Sequence, residues 1–167
     1  MSEAKHPNGG VLGLVVALVV LLIGGVLFVG AVSGWFDDPK VTLDAEYYCE
    51  VDCGELMEID ATSYNDLIAA KKSFVVFVDQ GGCTTADRLR GFVTEYAKET
   101  GIRVYRMMFE EIKKTSLYES VKYYPSVAVV AKGKVVSWLR ADSDEDAGAY
   151  NDYEEYKEWL NGHLELR

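Results

Sequence analysis

One cysteine, Cys83, lies where a buried strand gives way to a helix, in the segment VDQGGCTTADRLRGF. The apolar run from Val75 to Val78 precedes it and apolar residues at helical spacing follow it, so Cys83 is predicted in the first turn of a helix. The partial positive charge and free N–H groups of a helix start favour a thiolate. Because a thiolate attacks disulfide bonds, this position predicts Cys83 as the catalytic residue of thiol–disulfide chemistry.

The residues around Cys83 support an open site but not a complete redox pair. Gly82, Thr84 and Thr85 are small or polar and form no apolar lid. Ala86 stands three residues on, where a second cysteine would complete the pair. The alternative role for Cys83 is that of a small buried apolar residue.

Two more cysteines, Cys49 and Cys53, occur in YYCEVDCGEL, ahead of the first predicted domain strand. In an oxidising compartment they could form a local disulfide, and the alternative is two unpaired thiols in a linker. Two cysteines without a neighbouring histidine fill half of a tetrahedral zinc site. His6 and His163 lie near opposite ends of the chain. The sequence therefore predicts neither a metal site nor a cofactor.

An apolar, uncharged run of 22 residues, 11–32, is long enough to cross a bilayer as a helix. A cleaved signal peptide would have an apolar region of about 7–15 residues, although Val32-Ser33-Gly34 keeps a cleavage site possible. The predicted organisation is an N-terminal tail (1–10), a transmembrane signal anchor (11–34), a juxtamembrane linker (35–55) and a globular domain (56–167).

Charge decides which partners fit this chain. The formal net charge is −10, and it belongs to the part after the apolar run, which excludes nucleic acid and anionic lipid surfaces as partners. Lys5 and Lys40 flank the span on either side, so the positive-inside rule barely decides the orientation. The free amino terminus tips it slightly toward a cytoplasmic N-terminus and an extracytoplasmic domain. The glycine spacings Gly9/Gly13 and Gly30/Gly34 leave a homo- or hetero-oligomer in the membrane open.

After the linker, strand and helix patterns alternate. Strands are predicted over 56–60, 73–79 and 102–109, and a hairpin over 126–139 with its turn at Lys132-Gly133. Helices are predicted over 64–72 with a cap at Thr62 or Ser63, over 84–100, over 110–124 and over 151–164. The acidic stretch 141–152 is predicted to be a solvated loop.

This order of elements, over about residues 56–162, resembles the thioredoxin family. In that family the active-site cysteine follows the buried second strand and begins the next helix, as Cys83 does. A cis proline precedes the final hairpin, as Pro125 does in YYPSVAVVAKGKVVSW. The resemblance implies an α/β fold with a central mixed β-sheet and helices on both faces. It also implies protein thiols or disulfides as partners, with Cys83 within side-chain reach of Pro125.

The same resemblance implies that Tyr124, just before the proline, lines a groove for extended substrates. A tyrosine there could stack on a partner or shield Cys83. The alternative is an amphipathic residue at the edge of the core with its hydroxyl in water.

The sequence also departs from the family pattern. The family motif is C-x-x-C, whereas here Ala86 takes the second position, and Gly82 stands where a tryptophan is usual. Phe77 occupies the place of a buried acid that assists proton transfer. Asp79, two residues later, could reach the thiol, or it could be a polar residue at the strand end.

Two functions from different classes remain open. The first is a membrane-anchored, extracytoplasmic protein that exchanges thiols and disulfides, or holds partners, through Cys83 alone. Its adducts would persist until an outside thiol arrives, unless Cys49 or Cys53 resolves them after the linker folds back. The alternative is a non-catalytic interaction or assembly module. A thiol peroxidase is disfavoured because DQGGC lacks the proline of the P-x-x-x-[ST]-x-x-C pattern.

Overall fold

The computed structural model describes residues 19–20, 39–49 and 53–167. The chain divides into two compact units, Met1–Asp38 and Pro39–Arg167. In the first unit, Val19 and Val20 are helical. Among the residues that can be described, none of the helices combines the length and apolarity that a bilayer crossing needs. Apart from these two valines, the predicted tail and transmembrane anchor lie outside the described residues, so they stay predictions.

Strands and helices alternate along the second unit. Its described strands are Val41–Thr42 (β1), Met57–Glu58 (β2), Phe74–Asp79 (β3), Val104–Met108 (β4), Ser126–Ala131 (β5), Lys134–Trp138 (β6) and Leu164–Glu165 (β7). Its described α-helices are Ala61–Ala69 (α1), Thr84–Thr100 (α2), Phe109–Ile112 (α3), Leu117–Ser120 (α4) and Tyr153–His163 (α5). Short 3₁₀ turns cover Ala45–Tyr47 and Gly148–Tyr150.

Five strands form a mixed sheet in the order β2-β4-β3-β5-β6. β2, β4 and β3 are parallel, whereas β5 runs antiparallel to β3 and β6 antiparallel to β5. β3 lies at the centre, and all six of its residues are buried. This explains its near-continuous apolar sequence, since a strand covered on both faces has no side exposed to water.

Helices cover both faces of this sheet. The Tyr64 ring of α1 meets the Phe74 ring of β3 edge-on, with centroids 5.8 Å apart. Arg90 of α2 forms an ion pair with Asp79, which lies five residues after Phe74 on β3. Because successive side chains of a strand alternate between faces, α1 and α2 pack on opposite sides. The predicted α/β architecture with a central mixed sheet is confirmed.

The domain extends further toward the N-terminus than the predicted boundary at residue 56. β1 pairs in parallel with β7 to form a separate two-stranded sheet. Leu43 and Tyr47 are buried in the main core. Residues 39–49, which the sequence assigned to a linker, therefore pack as part of the folded unit. A two-residue strand is too short to leave a periodic signal.

Three local predictions differ from the structure. The expected helix 110–124 is two single turns, α3 and α4, and the Thr115 hydroxyl donates to the Ile112 carbonyl at 2.8 Å where the first turn ends. α1 starts at Ala61 because Asp60, not Thr62 or Ser63, is its cap, accepting from the Ser63 N–H at 2.8 Å.

The third difference is the acidic stretch 141–152, which is folded rather than merely solvated. Asp146 is buried and accepts hydrogen bonds from the Arg140 backbone N–H at 2.8 Å and from its Nε at 3.1 Å. Tyr150, in the second 3₁₀ turn, is buried as well. These contacts fix the approach to α5.

Candidate functional site

Cys83 is the N-cap residue of α2, with extended backbone angles and a half-buried side chain. The backbone N–H groups of Ala86 and Thr85 hold the pKa of the Cys83 thiol below its ordinary value, with Ala86 contributing most. Burial and, to a lesser degree, the Asp87 carboxylate raise the pKa of this thiol and so oppose the effect. Gly82 has a φ of 76°, a left-handed conformation that favours glycine and turns the chain into the helix. The local structure therefore presents a half-exposed cysteine whose thiolate form is stabilised.

Ala86 fills the position that a second cysteine would take. Its side chain is completely buried in the first turn of α2, and its backbone N–H lowers the pKa of the Cys83 thiol. Thr84 and Thr85 lie between the two. The arrangement has one reactive sulfur, and next to it a methyl group that cannot attack a mixed disulfide.

Pro125 lies at the same edge of the sheet as the turn that carries Cys83. Ser126 pairs with Val78 in the β3–β5 register, so the residue before β5 and the residues after β3 leave the sheet together. The Tyr124–Pro125 peptide bond is cis. A Cβ on Gly81 would lie 3.7 Å from the Met108 methyl group, so Met108 flanks this turn from β4.

Tyr124 is held within its own segment. Its ring packs edge-on against Phe109, with centroids 5.0 Å apart, and its hydroxyl donates to the Val121 carbonyl. Burial, and to a lesser degree Tyr118, raises the pKa of Tyr124 to about 12. Tyr124 is half-buried and precedes the buried Pro125. Its role as a groove residue stays a prediction.

Asp79 is completely buried and pairs with two arginines. Arg90 donates to both carboxylate oxygens, at 2.9 Å and 3.1 Å, and Arg106 donates to one at 2.7 Å. Burial raises the pKa of Asp79, but hydrogen bonds and charge from Arg90 and Arg106 outweigh it and lower the pKa overall. Both oxygens are thus occupied, and Asp79 serves to join β3, α2 and β4 rather than to receive a proton from Cys83.

We expect Asp79→Asn to lower the free energy of unfolding by about 3 kcal/mol at pH 7, because it removes the charge that two partly buried arginines face. A carboxylate with a lowered pKa stabilises the fold above its unfolded pKa of about 3.9, and that contribution is lost as pH falls through the folded pKa. The gap between variant and parent should therefore shrink below about pH 4. Urea titrations from pH 2 to 7 measure this, with exposed Asp66→Asn as the matched control. A difference in unfolding free energy that stays the same at low pH would contradict the assignment of Asp79 as a carboxylate paired with the two arginines.

Cys49 and Cys53 form a disulfide, with their Cα atoms 6.1 Å apart. The Cys49 N–H donates to the carbonyl of Gly101, the residue that ends α2, at 2.9 Å. Cys83 stands at the other end of this 17-residue helix, which is about 25 Å long. This separation disfavours the pair as a resolving thiol for an adduct on Cys83, and the resolving role itself stays a prediction.

Two residues that the sequence did not single out belong to this region. The hydroxyl of buried Tyr150 lies 3.0 Å from the Pro125 carbonyl oxygen. Arg88, one turn beyond Cys83, bonds the Asn151 side chain at 2.6 Å. Both contacts span many residues of sequence, so no local pattern could indicate them. Within residues 39–49 and 53–167, no group of three or more histidine, cysteine or acidic side chains could hold a metal ion.

Comparison with known proteins finds a likeness in fold, and it comes from solved structures alone. No family model matches the chain, and no curated protein matches it. Among solved structures, a mutant thioredoxin from Halobacterium salinarum is 16% identical with a TM-score of 0.53, covering 70% of this chain and 97% of its own. Oxidised thioredoxin from Plasmodium falciparum is 14% identical with a TM-score of 0.51, covering 66% and 100%. At these identities the likeness shows a thioredoxin-like fold and nothing beyond it.

Proposed function

We propose that this chain takes part in thiol–disulfide exchange with partner proteins through a single nucleophile, Cys83. One observation carries the proposal: Cys83 begins α2 with the Ala86 and Thr85 N–H groups lowering its pKa, at the sheet edge that it shares with Pro125. A half-exposed thiolate at a helix start is the form of cysteine that reacts with disulfides.

The reaction forms and breaks one bond at each step. The Cys83 thiolate attacks one sulfur of a substrate disulfide, a new S–S bond forms to Cys83, and the old S–S bond breaks. The leaving sulfur departs as a thiolate and takes a proton from water, so this step involves no net oxidation. A second thiol, either the one just freed on the substrate or one from solution, then attacks the adduct and releases Cys83.

The absence of a nearby second thiol determines the type of exchange. Ala86 cannot attack, and the Cys49–Cys53 pair lies about 25 Å away at the far end of α2. Adducts on Cys83 therefore wait for an outside thiol. This behaviour suits disulfide isomerisation or partner holding better than rapid net reduction.

We further propose that segment 11–34 anchors the domain in a membrane with the domain outside the cytoplasm. The Cys49–Cys53 disulfide supports this location, because structural disulfides persist in oxidising compartments. The apolar run of the sequence supports the anchor.

The pH dependence of Cys83 alkylation tests the thiolate. In the full-length chain, the iodoacetamide rate at Cys83 is expected to reach its half-maximum below pH 8.5, the ordinary thiol midpoint, because helix N–H groups stabilise the anion. The urea-unfolded chain is the matched control and should titrate near that ordinary value. A folded midpoint equal to or above the unfolded one would overturn the proposal and favour the interaction module.

A further inference from the structure

Tyr150 places its hydroxyl between two backbone carbonyls near the candidate site. The distances are 3.0 Å to the Pro125 oxygen and 2.9 Å to the Leu139 oxygen. The Ser126 hydroxyl donates to the same Leu139 oxygen at 2.7 Å. The hydroxyl has one proton, so its donation is shared between the two carbonyls. One carbonyl belongs to the residue before β5 and the other to the residue after β6.

The backbone of Tyr150 is tied to the helix that carries Cys83. Arg88, in the second turn of α2, reaches the Asn151 side-chain oxygen at 2.6 Å and the Tyr150 carbonyl at 3.5 Å. Burial raises the pKa of the Tyr150 hydroxyl further above its ordinary value, so the hydroxyl stays protonated and can donate. A chain of contacts thus runs from the helix of Cys83 through Arg88 and Tyr150 to Pro125.

We infer that Tyr150 is a positioning residue for thiol–disulfide exchange, which fixes the Pro125 segment relative to the helix that begins with Cys83. The inference rests on the proposed function. A substrate chain that adds beside Pro125 meets a backbone whose position is set before binding, so less conformational entropy is lost on binding. Small reagents that touch only the sulfur do not need this segment.

A purely structural role for Tyr150 makes a different prediction. Loss of the hydroxyl would then lower the free energy of unfolding. The rates at which Cys83 reacts with a small reagent and with a peptide disulfide would keep their original ratio. A positioning role changes that ratio, because it affects the peptide disulfide and spares the small reagent.

The test compares Tyr150→Phe with Tyr156→Phe in the full-length chain. Tyr156 is a matched control because it is also buried, while its hydroxyl has no hydrogen-bond partner among the described residues. Each variant reacts with iodoacetamide and with a synthetic peptide dimer joined by one disulfide. In Tyr150→Phe the peptide rate should fall about fivefold, in line with one lost neutral hydrogen bond, while the iodoacetamide rate stays within about twofold. Tyr156→Phe should leave both rates unchanged.

Hydrogen exchange gives a second readout that does not depend on activity. Amides of residues 121–127 should exchange faster in Tyr150→Phe, and those of β3 should not. Equal slowing of both reagents, or unchanged exchange over 121–127, would overturn the inference. A parent chain that does not react with the peptide would overturn the proposed function instead, and the exchange data would still decide whether Tyr150 holds this segment.

Discussion

Replacing Ala86 by cysteine should shorten the lifetime of a mixed disulfide on Cys83 by at least about 10²-fold, because the reaction becomes intramolecular. Ala86 is buried in the first turn of α2, three residues after Cys83. The introduced thiolate would attack the Cys83 sulfur, close a disulfide within the chain and release the substrate as a thiol. Reduction of insulin should rise from background for the same reason.

The matched control is Ala97→Cys. Ala97 is also completely buried on α2, but it lies 11 residues further along, about 16 Å from Ala86. Its thiol cannot reach Cys83, so adduct lifetime should match that of the parent. Rescue by Ala86→Cys should stay partial, since Phe77 provides no buried carboxyl to accept a proton. Equal lifetimes for the two variants would contradict the geometry at the start of α2.

Much of this site follows from local sequence patterns. The apolar run of β3 and the Lys132-Gly133 turn are short-range signals, and both elements occur as predicted. Because β3 and β5 are antiparallel, the chain leaves β3 toward Cys83 at the same edge of the sheet where it enters β5 after Pro125. Strand pairing therefore places at one edge of the sheet two residues that are 42 positions apart in the sequence.

Other features depend on partners that are distant in sequence. Asp79 could be recognised as a strand-end carboxylate, but its engagement by Arg106 depends on the pairing of β3 with β4. Tyr150 lies in a stretch so acidic that it indicated solvent exposure, and its burial follows from the contacts to Pro125 and Leu139. The place of the Cys49–Cys53 pair depends on residues 39–49 folding against the end of α2, which no pattern indicates.

The second large effect concerns which cysteine holds partners in cells. Cys83→Ser should abolish disulfide-linked adducts of this protein, because no other described sulfur is an unpaired thiol. The double variant Cys49→Ser and Cys53→Ser should leave adduct abundance and lifetime at parental values, since that pair lies at the opposite end of α2. It is the matched control because it removes two cysteines without touching the site.

Acid-quenched cells, alkylated and resolved on non-reducing gels with mass spectrometry of the shifted bands, measure this directly. We expect bands linked through Cys83 in the parent and in the double variant, and none in Cys83→Ser. Absence of adducts from the parent, or adducts that persist in Cys83→Ser, would contradict the assignment of Cys83 as the nucleophile.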